Sequence, residues 1–312
     1  MSETSPSRPS GAGDEYTIWK QNVPHLYDFF FSQTFECPSY SLQWLPGCHL
    51  NTEKNSPTCR FISGTYFSES DDSSFLQLCE VTLPPENHIK GSQMHDLDPH
   101  SVPVIPGYGD VANMTITSTM KVTGEVNKVR SNVEGSLAAA YTTHPDVLLF
   151  DIPSRDSNPN PNPQRSRFQS KDDEVSPLLT LTGHFKEGFG LDWARTNHDQ
   201  SIVASSGNDG LILVWDVGDP LNSIVPPFLS FGGWHDSAIG DVAFQPRASS
   251  ILAAVDDNSM LAFWDLRAPN LEGPKESCKV NNGGRNLELN CVQWCEFRDP
   301  MLLVAGKMAL WS

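Results

Sequence analysis

Short apolar runs broken by polar turns dominate the second half of the chain. From Gly183 to Asp216 the pattern reads as a loop, then GLDW, IVASS, a polar GNDG turn and LILVWD. From Trp234 to Asp265 it recurs as a loop, then GDVAF, ILAAV, a polar DDNS turn and MLAFWD. Alternating apolar runs bounded by polar clusters predict strands, and Asp209-Gly210 between two of them is a two-residue hairpin signal. The N-terminal stretch has another period. From Glu15, EYTIWKQNVPHLYDFFFSQTFECPSYSLQWLPG sets apolar residues at Tyr16, Trp19, Val23, Leu26, Phe29 and Phe30, a helical spacing. Asn22 is placed to cap this helix, and Pro24 suits a first turn or a kink.

Worn copies bracket the two clear ones: VLLFD upstream, and VQWCEFRDPMLLVAGKMALWS downstream. The closing aromatics Phe150, Trp215, Trp264 and Trp311 stand at intervals of 65, 49 and 47 residues. The first interval contains the Pro/Asn/Ser/Lys segment 153–177, and without those 25 residues it shrinks to 40. A strand-turn-strand unit at this period is the signature of a WD-repeat blade. The predicted class is therefore all-β, a WD-repeat β-propeller of about four blades plus a partial fifth, with an N-terminal α-helix. Expected boundaries are a disordered Ser/Pro/Gly-rich tail at 1–14, the helix at 15–35 and the propeller at 36–312, with loop insertions at 84–113 and 153–177. In the fifth unit LLVAG runs straight into KMALWS, without the residues of a hairpin turn. Propellers are mostly recognition platforms, which favours binding over catalysis.

His184, Ser205, Asp209 and Trp215 stand at the offsets of the hydrogen-bonded tetrad of WD repeats. On paper they also resemble a serine-hydrolase triad. The structural role is preferred: no nucleophile elbow accompanies Ser205, and the four face their own blade. The second copy carries Ala254 and Asn258 at the Ser and Asp offsets. Seven cysteines are scattered without a CxxC pair, which argues against zinc and redox motifs and for a reducing compartment. Neither a secretory signal nor an apolar run of bilayer length is evident. The net charge of −17 disfavours direct nucleic-acid binding and suits basic partners. No cofactor, metal or membrane contact is expected.

Several motifs lie outside the generic repeat. IWK-x-N-x-P-x-LYD at Ile18–Asp28 is followed by Pro38-Ser39 and QWLP at Gln43–Pro46. GYGDVANMTITSTMKVTGEVNKVR (Gly107–Arg130), DVLLFD (Asp146–Asp151), GHFKEGFGLDW (Gly183–Trp193), WDLR (Trp264–Arg267) and LNCVQW (Leu289–Trp294) come next. With them, Glu15–Ser312 resembles the retinoblastoma-associated histone-binding WD-repeat proteins, the p46/p48 family. That resemblance implies a non-catalytic nuclear scaffold, present also in the cytoplasm, that binds core histones H3 and H4 and serves chromatin assembly, deacetylase, remodelling and Polycomb-type complexes. It implies a basic-peptide site for the H3 tail at the channel mouth, carried over to Glu125 and Asn127, Glu187 and Phe189, and Glu288 and Asn290. Carboxylates around such a mouth suit Arg and Lys through charge-assisted hydrogen bonds; read without the family, they are solvated loop acids. Gly240 stands where the family has Glu, leaving the ring incomplete. A second site, a groove for an H4 helix, implies an apolar wall of His25, Leu26 and Phe29 facing an acidic loop without counterpart here. The family has seven blades, closed by pairing the strand Ser41–Leu45 with the last repeat. The shorter count here leaves a truncated or misspliced product, a fragment, or a ring completed by another chain. Two rival readings are a ribosome-assembly WD protein and a ubiquitin-ligase substrate receptor using the WDxR box of Trp264–Arg267.

Overall fold

The computed structural model describes residues 33–51, 56–66, 73–83, 113–154, 177–196, 200–218, 220–232, 237–267, 273–281, 287–298 and 300–308, together with 15, 18, 19, 22, 23, 26 and 27. The tail 1–14, nearly all of both insertions, and Trp311 lie outside these residues. Two compact units make up the chain. One comprises Met1–Glu36, Gly47–Arg60 and Cys79–Thr115; the other comprises Cys37–Pro46, Phe61–Leu78 and Ile116–Ser312.

In the smaller unit, Glu15, Ile18, Trp19, Asn22, Val23 and Leu26 are helical, as the apolar spacing requires. Asn22 is not the expected cap: it lies inside the helical stretch, and its side-chain amide donates to the Ile18 carbonyl one turn back at 2.9 Å. The Tyr27 amide donates to the Val23 carbonyl at 3.0 Å, so the helical bonding passes Pro24. Cys48 and Cys59, expected as scattered free thiols, form a disulfide with Cα atoms 4.6 Å apart, the spacing of facing residues on neighbouring antiparallel strands.

All described sheets follow the alternating pattern. β1 (Ser41–Asn51), β2 (Ser56–Gly64), β3 (Ser73–Thr82) and β4 (Asn113–Thr123) pair in that order. β5 (Val126–Ser131), β6 (Leu137–Thr142), β7 (Val147–Asp151) and β8 (Leu179–Leu181) form the second sheet, and β12 (Ile224–Val225) joins it parallel to β8. β9 (Gly190–Trp193), β10 (Ile202–Ser206), β11 (Ile212–Asp216) and β13 (Leu229–Phe231) form the third. β14 (Ile239–Gln245), β15 (Ala248–Asp256), β16 (Met260–Asp265) and β17 (Glu276–Lys279) form the fourth. β18 (Leu287–Trp294) and β19 (Leu302–Met308) form a two-stranded fifth. Nearly all-β, in antiparallel sheets of four strands, the chain has the WD-repeat propeller class of fold. LLVAGKM is one continuous strand, as the missing turn demands.

The strand Ser41–Leu45 does not pair with the last repeat. It belongs to β1 and bonds to β2, the next strand in the chain, because closing a short loop costs far less entropy than recruiting a distant partner.

Within the larger unit the cores lie between successive sheets, and strand alternation decides which residue enters which core. On β6, Ala138 and Ala140 face the first sheet with Leu45, Ile62, Leu76 and Met120, while Ala139 and Tyr141 face the third with Leu191, Trp193, Leu213 and Trp215. The same division recurs on β15, where Leu252 and Ala254 face the third sheet and Ala253 and Val255 face the fifth. Tryptophan indoles tie neighbours together: Trp193 donates to the Arg130 carbonyl at 3.0 Å, and Trp294 donates to the Ala243 carbonyl at 3.1 Å.

Candidate functional site

The first strands of the sheets lie side by side, β5 beside β9, β9 beside β14, and β14 beside β18. Each enters from a loop that carries one of the predicted acids. Glu125 immediately precedes β5 and is half-buried; its amide donates to Thr143 Oγ1 at 3.2 Å. Asn127 is buried and gathers three acceptors with its Nδ2: the Thr142 carbonyl at 3.4 Å, the Gly188 carbonyl at 3.2 Å and Glu187 Oε2 at 3.4 Å. Two predicted residues 60 positions apart thereby meet across the boundary between the second and third sheets. Glu187 is half-buried and also fixes the next hairpin, its carbonyl accepting from the Asn208 amide at 2.9 Å. Phe189 and Phe185 are exposed, at 43% and 67%. Glu288 and Asn290 are exposed on β18. Burial, then the charges of Glu288 and Asp256, hold the Asp257 carboxyl above the ordinary carboxylate range, which places Asp257 beside Glu288 in a second acidic group. Asp257 does not belong to the predicted set; its place in a polar turn is the only sequence signal for it.

Crowding of the first strands explains the gap at Gly240. A Cβ there would fall 3.1 Å from Asn290 Cα and closer still to the Leu289 carbonyl oxygen on β18. Gly190 on β9 approaches β14 in the same way, with Asp241 Cα 3.1 Å from its missing Cβ. Any side chain at 240 has to displace backbone. Beneath this level lies a polar layer that sequence reasoning missed. Lys128 Nζ on β5 pairs with Asp241 Oδ1 on β14 at 2.7 Å, and the Asp241 side chain is only 3% exposed. Asp241 also accepts from the Val292 amide on β18 at 3.3 Å, so one carboxylate ties three sheets. Asp192 Oδ2 on β9 accepts from the Phe244 amide at 2.8 Å. Burial pushes the Asp192 carboxyl up, with Arg195 the first influence opposing it.

His184, Ser205, Asp209 and Trp215 do sit together. Asp209 Oδ2 lies 2.9 Å from His184 Nδ1, and His184 Nε2 lies 2.7 Å from Ser205 Oγ. An ionised carboxylate only accepts, so Nδ1 carries the proton and the neutral ring accepts from the Ser205 hydroxyl through Nε2. Asp209 further accepts from the Phe185 and Leu211 amides, both at 3.1 Å. Burial alone would raise its carboxyl, but the His184 hydrogen bond and charge and these amides hold it below the ordinary range. Trp215 is not the last link of the chain: its indole donates to the Thr182 carbonyl at 3.2 Å and its ring stands 6.1 Å from the His184 ring. Ser205 has no exposed surface, so its Oγ is closed to a substrate, and the group closes a loop onto its blade. In the fourth sheet, with Ala254 and Asn258, another residue closes the turn. Asp256 accepts from Ser237 Oγ at 3.2 Å, the Asn258 amide at 3.0 Å and the Met260 amide at 2.7 Å. Ser259 there adopts φ 68°, at the offset where the third sheet has Gly210 at φ 75°.

Of the predicted helix groove, His25 and Phe29 lie outside the described residues. Leu26 is 62% exposed, whereas Val23, one turn earlier, is buried. In the WDxR box, Arg267 grips Asp265 of its own chain, Nε to Oδ1 at 2.9 Å and Nη2 to Oδ2 at 2.8 Å. Among the described residues no group of three or more His, Cys, Asp or Glu is arranged to hold a metal ion.

Set against known families, residues 14–85 match the family model for histone-binding protein RBBP4 and the CAF1-complex protein of the same type. The match takes in the helical residues from Glu15, all of β1 and β2, and β3.

Proposed function

We propose that this chain, which through residues 14–85 belongs to the RBBP4 and CAF1-complex family of histone-binding proteins, is a non-catalytic, nuclear histone-binding scaffold. Its partners are core histones H3 and H4 and the components of chromatin-assembly, deacetylase, remodelling or Polycomb-type complexes. The tail site is the entry to the first strands, where Glu125, Glu187 and Glu288 receive basic side chains, Asn127 and Asn290 supply amides, and Phe189 gives an exposed apolar rest. The observation that supports this reading is the bond between Asn127 and Glu187, which holds one acid half-buried and aimed by a neighbouring sheet. A carboxylate fixed in this way loses little conformational entropy when a guanidinium or ammonium arrives. The H4 groove uses the helical segment, with Leu26 as its exposed apolar anchor alongside His25 and Phe29.

The test is a titration of an unmodified H3-tail peptide into the full chain at rising salt. Weak binding that declines with added salt is expected, since half-exposed ion pairs are screened over about 10 Å at 0.1 M. Glu125→Gln with Glu187→Gln should weaken it further. Salt-independent binding, or an unchanged double variant, removes the acids from the site.

A further inference from the structure

Beside Glu125 stand two tyrosines that the acid-and-amide reading leaves unused. Tyr40 and Tyr66 meet edge to face, ring centroids 4.6 Å apart and planes inclined at 68°. Main-chain bonds fix the pair. The Tyr66 amide donates to the Pro38 carbonyl at 2.7 Å, and the Val126 amide donates to the Thr65 carbonyl at 3.3 Å, which sets Tyr66 next to Glu125. Glu125, first by a hydrogen bond and then by its charge, with Tyr40 next, holds the Tyr66 hydroxyl above the ordinary phenol range. The phenol is thus a donor to the carboxylate, and the carboxylate stays ionised at the foot of the ring corner. Tyr40 is 67% exposed, so one ring face is open to solvent.

Ring faces carry negative potential and attract cations, most usefully those that shed water easily. A bare lysine ammonium is compact and strongly hydrated. Methylation spreads the charge over apolar groups that pack on ring faces, and a dimethylammonium keeps one N–H to donate to a carboxylate. We propose that Tyr40, Tyr66 and Glu125 form a subsite at the rim of the first strands that selects a dimethylated lysine side chain of the bound basic peptide. The inference rests on the tail-binding reading above, since Glu125 belongs to both, and it adds the modification state the site prefers.

The experiment uses the full chain and the same tail peptide in three forms, with its lysines unmodified, dimethylated or replaced by norleucine. Dimethylation should tighten binding about two- to fivefold over the unmodified form, the range of an exposed cation–aromatic contact. Norleucine should bind weakest. Tyr40→Ala, an exposed position whose loss spares the core, should abolish the preference while unmodified binding persists, and Tyr40→Phe should retain it. Equal affinities for the lysine and dimethyl-lysine forms overturn the subsite and leave the tail site standing. A preference that survives Tyr40→Ala also overturns it. No binding of any form overturns both readings.

Discussion

Removing the Asp209 carboxylate should cost the third sheet most of its loop closure. In Asp209→Ala three donors lose their acceptor: His184 Nδ1, the Phe185 amide and the Leu211 amide. The Phe185 amide is at an exposed position and regains water. His184 has no exposed side-chain surface and Leu211 is only partly exposed, so two donors are left dry. At about 1–3 kcal/mol for each unsatisfied buried group, the variant should lose roughly 2–5 kcal/mol. Asp209→Asn retains one oxygen acceptor and should lose about half as much. Urea denaturation at neutral pH, followed by tryptophan fluorescence, measures both, since Trp193 and Trp215 flank the site. pH supplies an independent check. A carboxyl whose native pKa lies below its unfolded value stabilises the fold fully above about pH 3.9, and that contribution disappears as pH falls through the lower native value. The gap between wild type and Asp209→Ala should therefore narrow only in that acid window. A loss under about 1 kcal/mol at neutral pH, or a gap that ignores acidification, refutes the argument.

Two further substitutions probe the first strands. Gly240→Ala should destabilise by about 1–3 kcal/mol in thermal unfolding, because its Cβ meets β18 backbone, and Gly240→Glu should not strengthen tail-peptide binding despite restoring the family's acid. Lys128→Met leaves Asp241 buried without its cation and should cost about 3–5 kcal/mol in the same unfolding assay, whereas Lys128→Arg should recover part of it.

Strands are legible from the sequence because alternation is a local property: GLDW, IVASS and MLAFWD each carry their own period. Pairing between elements is not local, and there the expectations fail. Ser41–Leu45 carries no mark of its partner, which is the adjacent β2 and not the last repeat. Asn22 offers the right side chain for a cap, but the helical turn continues through it and redirects its amide to Ile18. Cys48 and Cys59 have no motif spacing; only the facing of β1 and β2 brings them together. In the candidate site the acids are visible as residues, while Asn127 meeting Glu187 depends on how two sheets stack.

The polar contacts of the first strands show why some residues are found by resemblance and others are not. Glu125, Glu187 and Glu288 occupy loop entries, where repeats align and a motif points to them. Asp192 and Asp241 sit inside GLDW and GDVAF, where an alternating strand pattern admits a polar residue at either parity without remark. Their partners lie on other sheets: Asp192 serves the Phe244 amide, and Asp241 serves Lys128 and the Val292 amide. A buried carboxylate with such partners is costly to leave half-satisfied, so each pins the spacing of neighbouring first strands. That spacing is what leaves no room for a Cβ at Gly190 or Gly240. The acid missing from the rim at 240 and the acid buried at 241 are thus one arrangement: β14 lies too close to β18 to present a side chain upward, and it commits the next residue to holding the strands together.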